Sequence, residues 1–70
     1  MKIETYEDIC KHADQFISYR YNTFGLIIAL MYGNEAIEEI IAIARQAGHK
    51  VSKRIIGKGT EDAEVHLTIR

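Results

Sequence analysis

The 70-residue chain has no proline, no tryptophan and a single cysteine. A lone cysteine closes no internal disulfide, and no Cys/His spacing of the zinc-binding kind accompanies it, so neither a covalent bridge nor a structural metal is available as a staple. One free thiol suits a reducing compartment. No charged opening leads into an apolar leader and no lipidation signal closes the chain, so a cytoplasmic location is expected. The longest apolar run, Gly25 to Gly33, falls far short of the about 20 residues that span a bilayer, and no membrane association is expected. Repeats and low-complexity segments are absent too, and the chain reads as one domain.

Charge of one sign is also lacking. The net charge of -1 and pI near 6.3 argue against generic nucleic-acid binding, although Lys50, Lys53, Arg54 and Lys58 form a basic stretch with no acid between His49 and Lys58. Hydrophobic residues make up 47% of the sequence. A domain this small buries only about 60% of the surface its unfolded chain exposes. Surplus apolar surface with no staple predicts a homo-oligomer.

The run from Gly25 to Gly33 is the element around which the rest is arranged. Its glycine brackets, its length and the β-branched pair Ile27 and Ile28 favour a central strand, with a buried helix as the alternative because Ala29, Leu30 and Met31 are good helix formers. As a strand it turns Leu26, Ile28, Leu30 and Tyr32 to one side and Ile27, Ala29 and Met31 to the other. One layer of helices covers only one of these stripes. The larger stripe is expected to face the helices, leaving the smaller one as an interface.

Before this strand, Thr5 is a good N-cap, Glu7 and Asp8 suit a first helical turn, and Tyr6, Ile9, Cys10, Ala13, Phe16 and Ile17 share one helix face. The helix is expected to fade at Ser18 to Tyr21, with Asn22 and Thr23 in a turn. After it, Asn34 caps a helix whose buried stripe is Ile37, Ile40, Ile41, Ala44 and Ala47, and Gly48 stops it. Val51 to Ile56 and Ala63 to Arg70 then form a hairpin around the turn from Gly57 to Asp62, the last strand directing Glu64, His66, Thr68 and Arg70 outward. Lys53 shares a face with Val51 and Ile55, which calls for a bulge or a snorkelling lysine.

The expected fold is α+β, a small two-layer sandwich. Its order is helix, strand, helix, strand, strand, with two helices on one face of a mixed three- to four-stranded sheet and a parallel β-α-β crossover. A short strand at Met1 to Glu4 would make the order βαβαββ. That order resembles the Alba chromatin proteins and the C-terminal domain of bacterial translation initiation factor three, although Met1 to Asp8 lack the paired lysines that Alba proteins carry before their first helix. The resemblance is one of element order, and it implies a fold and no activity.

No constellation supports catalysis. Cys10 and His12 diverge on a helix, and Cys10 on the apolar face is expected to pack as a buried hydrophobe. His12, His49 and His66 fall on three elements without ligand spacing, so no metal or cofactor is expected. Gly57-Lys58-Gly59 leads into a strand and lacks the helix N-terminus of a phosphate loop. Gly33-Asn34-Glu35 is better explained as a cap. The expected function is that of a small non-enzymatic binding protein, an inhibitor or adaptor of the sort phages and mobile elements encode, whose partner-binding residues are Ile27, Met31, His66 and Arg70. A nucleic-acid binder is the alternative, with Tyr19, Arg20 and Tyr21 joining Lys50, Lys53, Arg54 and Lys58. The same lysines would equally suit a solvated edge strand. A small-ligand-binding oligomer comes third.

Overall fold

A computed structural model describes residues 3–70. The order is α1 (Tyr6–Lys11), β1 (Ser18–Asn22), β2 (Gly25–Met31), α2 (Ala36–Gln46), β3 (Val51–Ile56) and β4 (Glu64–Ile69), with a 3-10 turn at Ala13–Gln15. The fold is a small α+β sandwich, and its 18 Å shortest dimension accommodates one helix layer on one sheet. The sheet order is β1-β2-β4-β3 and every pairing is antiparallel.

Gly25 to Met31 is a strand, and Leu26, Ile28 and Leu30 are each 0% exposed on its helix side. They join Val65, Leu67 and Ile69 of β4, Ile9 of α1 and Ile37, Ile40 and Ala44 of α2 in one core. Leu26, Ile28 and Leu30 of the larger stripe therefore face the helices, as their volume predicts, while Tyr32, expected with them, lies in the turn after β2 and is exposed.

The sheet is not mixed, and three expectations about its assembly are corrected. β2 and β3 run the same way but do not touch, because β4 lies between them antiparallel to both. The crossover through α2 is thus a split β-α-β. β4 takes the centre because Val65, Leu67 and Ile69 present an unbroken apolar inner row, while β3 carries Lys53 inward and belongs at an edge. The first helix also ends earlier than its apolar period suggests. Phe16 is extended (φ -97°, ψ 151°) and still buried, so it reaches the core from a loop. Ser18 to Asn22, expected as a fading helix and turn, is the fourth strand. Of the short strand considered at Met1 to Glu4, Met1 and Lys2 lie outside the described residues, and Ile3 is buried in the core without belonging to a strand.

Local chemistry explains the ends. The Asp8 carboxylate accepts the N–H groups of Glu4 and Thr5, each at 3.0 Å, closing the start of α1. Asn34 Oδ1 accepts the Ala36 N–H at 2.8 Å, as a capping side chain does. At the other end Gly48 (φ +92°) donates to Arg45 and His49 donates to Ala44, the paired bonds of a Schellman stop. Gly25 (φ +116°) has a stricter role, since a Cβ there would lie 2.3 Å from the Ile69 carbonyl oxygen.

Candidate interaction surface

The face of the sheet away from the helices has no cover among the described residues. The register places its side chains in rows across β1, β2, β4 and β3: Arg20, Ile27, Thr68 and Ser52 in one, Ser18, Ala29, His66 and Arg54 in the next, then Met31, Glu64 and Ile56. At the opposite end Lys50 and Arg70 exchange backbone hydrogen bonds (2.9 and 3.3 Å) and extend the β3–β4 pairing by one more row beside Gly25. An aliphatic stripe on β2 lies beside the polar row of Thr68, His66 and Glu64 on β4, with Arg20 and Arg54 on the two edge strands.

Met31 is 50% exposed at one end of this centre, and Ile27 is half-buried toward the other. Between them Ala29 is only 1% exposed, its methyl group covered by the larger side chains around it. His66 Nε2 lies 3.0 Å from Glu64 Oε1, a pairing made possible by two residues on the same face of β4. All four residues expected to bind a partner, Ile27, Met31, His66 and Arg70, thus share this face.

The residues of the nucleic-acid alternative do not come together. β1 and β3 are opposite edges of the sheet, three strand spacings or roughly 14 Å apart. Tyr19 and Tyr21 stand opposite Ile28 and Leu26, which puts their rings on the helix side, and only Arg20 turns to the open face. Lys53 also points to the helix side, where its Nζ donates to Glu38 Oε1 at 3.2 Å. It snorkels without a bulge, as the continuous β3–β4 register requires. Arg54 alone of the β3 pair reaches the open face, and Lys58 sits in the β3–β4 turn. β3 is the edge strand that its lysine content suggested.

The tyrosines tie α1 to the edge strand. Cys10 is exposed, not buried, and its Sγ hydrogen-bonds the Tyr19 hydroxyl at 2.5 Å. Burial first, and then the hydrogen bond to Cys10, pushes the Tyr19 phenol up. Tyr6 is pushed up to about 12 by burial, a hydrogen bond with Tyr21 and the nearby Tyr21 and Cys10. Its ring stacks on His49 at 4.1 Å, and His49 Nδ1 lies 3.0 Å from the Arg70 carbonyl oxygen. The sequence signal for this cluster was the spacing of Tyr19 and Tyr21, two residues apart and therefore on one side of a strand.

His12 ends α1, His49 stacks behind the sheet and His66 lies in front of it, so the three are not brought together. Among the described residues no group of three His, Cys, Asp or Glu side chains is placed to hold a metal ion. Gly57-Lys58-Gly59 is a turn closed by the Thr60 hydroxyl and N–H, both donating to the Gly57 carbonyl. A hollow of about 260 Å³ lies beside Gln15, Asn34 and Glu39, and one of about 320 Å³ beside Phe24 and Arg70. The first falls below the size range of ligand pockets, which starts at about 300 Å³, and the second is at the bottom of it. No described helix is long and apolar enough to cross a membrane.

No protein-family model, curated protein or solved structure matches the chain. What the protein does must be argued from the open face itself.

Proposed function

We propose that the protein is a non-enzymatic interaction module, an inhibitor or adaptor that works by stoichiometric association with other protein surfaces and functions as an oligomer. One observation carries this reading. The helix-free face carries an aliphatic stripe of Ile27, Ala29 and Met31 with its Met31 end exposed, bordered by Thr68, His66 and Glu64 on β4 and by Arg20, Arg54 and Arg70, a mix of apolar and polar groups such as protein interfaces carry. The nucleic-acid alternative is weaker, because single-strand binders stack bases on aromatic rings, and the rings of Tyr19 and Tyr21 lie on the other side.

The test is a comparison of the parent with Met31→Lys, each immobilised and exposed to a lysate of the source cell. The parent should retain a protein in stoichiometric amount, and the variant, folded by circular dichroism, should retain at least tenfold less. A parent that retains only nucleic acid, or a variant that retains the same protein equally well, would overturn the proposal.

A further inference from the structure

We infer that a second copy of the chain occupies the helix-free face, packed across a two-fold axis that lies in the interface at right angles to the strands. The inference rests on reading that face as an interaction surface and adds what fills it in the free protein, where a target engages the face by displacing the second copy. Such an axis lays each strand antiparallel over its own counterpart, so the contacts it makes can be read from the register. If it passes between Ile27 and Ala29, at the level of Ile28 and Leu67, each large side chain on β2 meets a small one. Ile27 lies over the partner's Ala29, and Met31 lies over the partner's Gly25.

The same operation on β4 sets Arg70 opposite the partner's Glu64, twice by symmetry, and Thr68 opposite the partner's His66. On β3 it sets Arg54 opposite the partner's Ser52, and on β1 it sets Arg20 opposite the partner's Ser18. No cation on these strands is laid directly over its own kind. The other in-plane axis, parallel to the strands and between β2 and β4, would instead set Met31 opposite the partner's Glu64 and Arg70 opposite the partner's Gly25, and so pairs no opposite charges at the ends of β4. Sheets packed face to face turn by about 30°, which displaces the end rows by about one strand spacing. The length of the Arg70 side chain spans that offset.

The face is roughly 20 Å on a side, about half of the about 800 Å² per partner of a standard interface, so a dimer through it depends on matched charge. The Arg70 and Glu64 pairs supply that match, on a chain too small to be well stabilised alone.

Charge reversal and re-reversal test the geometry. Sedimentation equilibrium is run on the full chain, on Glu64→Arg, on Arg70→Glu and on the double variant. The parent should be a dimer at micromolar concentration. Each single reversal should raise the dimer Kd at least tenfold, and the double variant should return it to within about threefold of the parent. A sample mixed from isotopically labelled and unlabelled protein should also give an intermolecular nuclear Overhauser effect between the Ile27 and Ala29 methyl groups, which needs no variant to fold.

A parent that is monomeric at micromolar concentration, a dimer indifferent to the reversals, or a dimer without the methyl contact would each overturn the inference. The reading beneath it is judged separately. A monomer whose target is still lost with Met31→Lys would discard the second copy and keep the face as a binding surface. A dimer that behaves as described while Met31→Lys retains its target would do the reverse.

Discussion

Ile27 and Ile28 are the same residue on the same strand, one peptide apart, and they belong to different parts of the molecule. Ile28 points into the core with no exposed surface, between Tyr19 and Leu67 on the adjacent strands. Ile27 points to the helix-free face, between Arg20 and Thr68. Strand alternation alone creates the difference, and it divides the sheet into a side that holds the fold together and a side that is free to meet something else. Charges lie on both sides: the open face carries Arg20, Lys50, Arg54, Arg70 and Glu64, while Lys53 pairs with Glu38 on the helix side.

The largest effect that can break this contrast lies on the core side. Leu30→Asp puts an unpaired carboxylate at a fully buried position, at a cost of several kcal/mol against the about 3 to 5 kcal/mol that a core this size supplies. Circular dichroism should show an unfolded chain, and a native spectrum would mean that the helix side is not the core.

Gly25→Ala comes next. It combines a positive φ with a Cβ driven into the Ile69 carbonyl, both backbone effects that no side-chain rotation relieves. A loss of about 2 kcal/mol or more is expected, read as a fall of about 10 °C in Tm. An unchanged Tm would show that the β1–β2 hairpin does not approach β4 this closely.

Lys53 and Arg54 repeat the Ile27 and Ile28 contrast among charges. Lys53→Glu sets a carboxylate beside Glu38 on the helix side and should cost up to about 1 kcal/mol, since both groups are partly solvated. Arg54→Glu, on the other side, should stay within about 0.5 kcal/mol of the parent. Urea titrations compare them, and equal losses would erase the distinction between the two sides of β3.

Asp8 gives the smallest effect, with a direction in pH. The N–H groups of Glu4 and Thr5 hold its carboxyl below the ordinary value of 3.8. Its folded pKa is depressed, so its contribution is present above 3.8 and is lost as pH falls through the lower folded value. Asp8→Asn should therefore melt slightly below the parent at pH 7, and the two curves should converge in acid. A gap that widened toward pH 2 would assign the cap to another group.

Much of this division was legible in the residues. Glycine brackets, length and β-branching marked β2, and side-chain volume indicated which of its stripes faces the helices. The caps at Asn34 and Gly48 were visible because capping is local chemistry, and Lys53 between Val51 and Ile55 signalled a snorkel. β1 was not legible. Its helix-side residues are tyrosines that tie α1 to an edge, its outer residues are Ser18, Arg20 and Asn22, and no apolar alternation marks it. Its turn is equally silent, because Thr23 and Phe24 have negative φ and the hairpin lacks the Asn-Gly pair of a primed turn. The position of β4 between β2 and β3 is a long-range outcome, although its inner row of Val65, Leu67 and Ile69, free of any charge, was the clue that it belonged in the centre. Of the open face, the stripe of Ile27, Ala29 and Met31 and the outward set of β4 could be read, but the row that puts Arg70 at one end and Glu64 at the other needed the register.

The central claim is that neighbouring residues of β2 have separate roles, and a pair of thermal melts tests it most directly. Ile28→Thr and Ile27→Thr both keep β-branching, so strand propensity is matched and only the surroundings differ. Ile28→Thr buries a hydroxyl in the core and should lower Tm by at least about 10 °C, corresponding to about 2 kcal/mol or more. Ile27→Thr, measured at a concentration low enough to keep the chain monomeric, should melt within about 4 °C of the parent. Equal losses in the two variants, or a larger loss at Ile27 than at Ile28, would contradict the account.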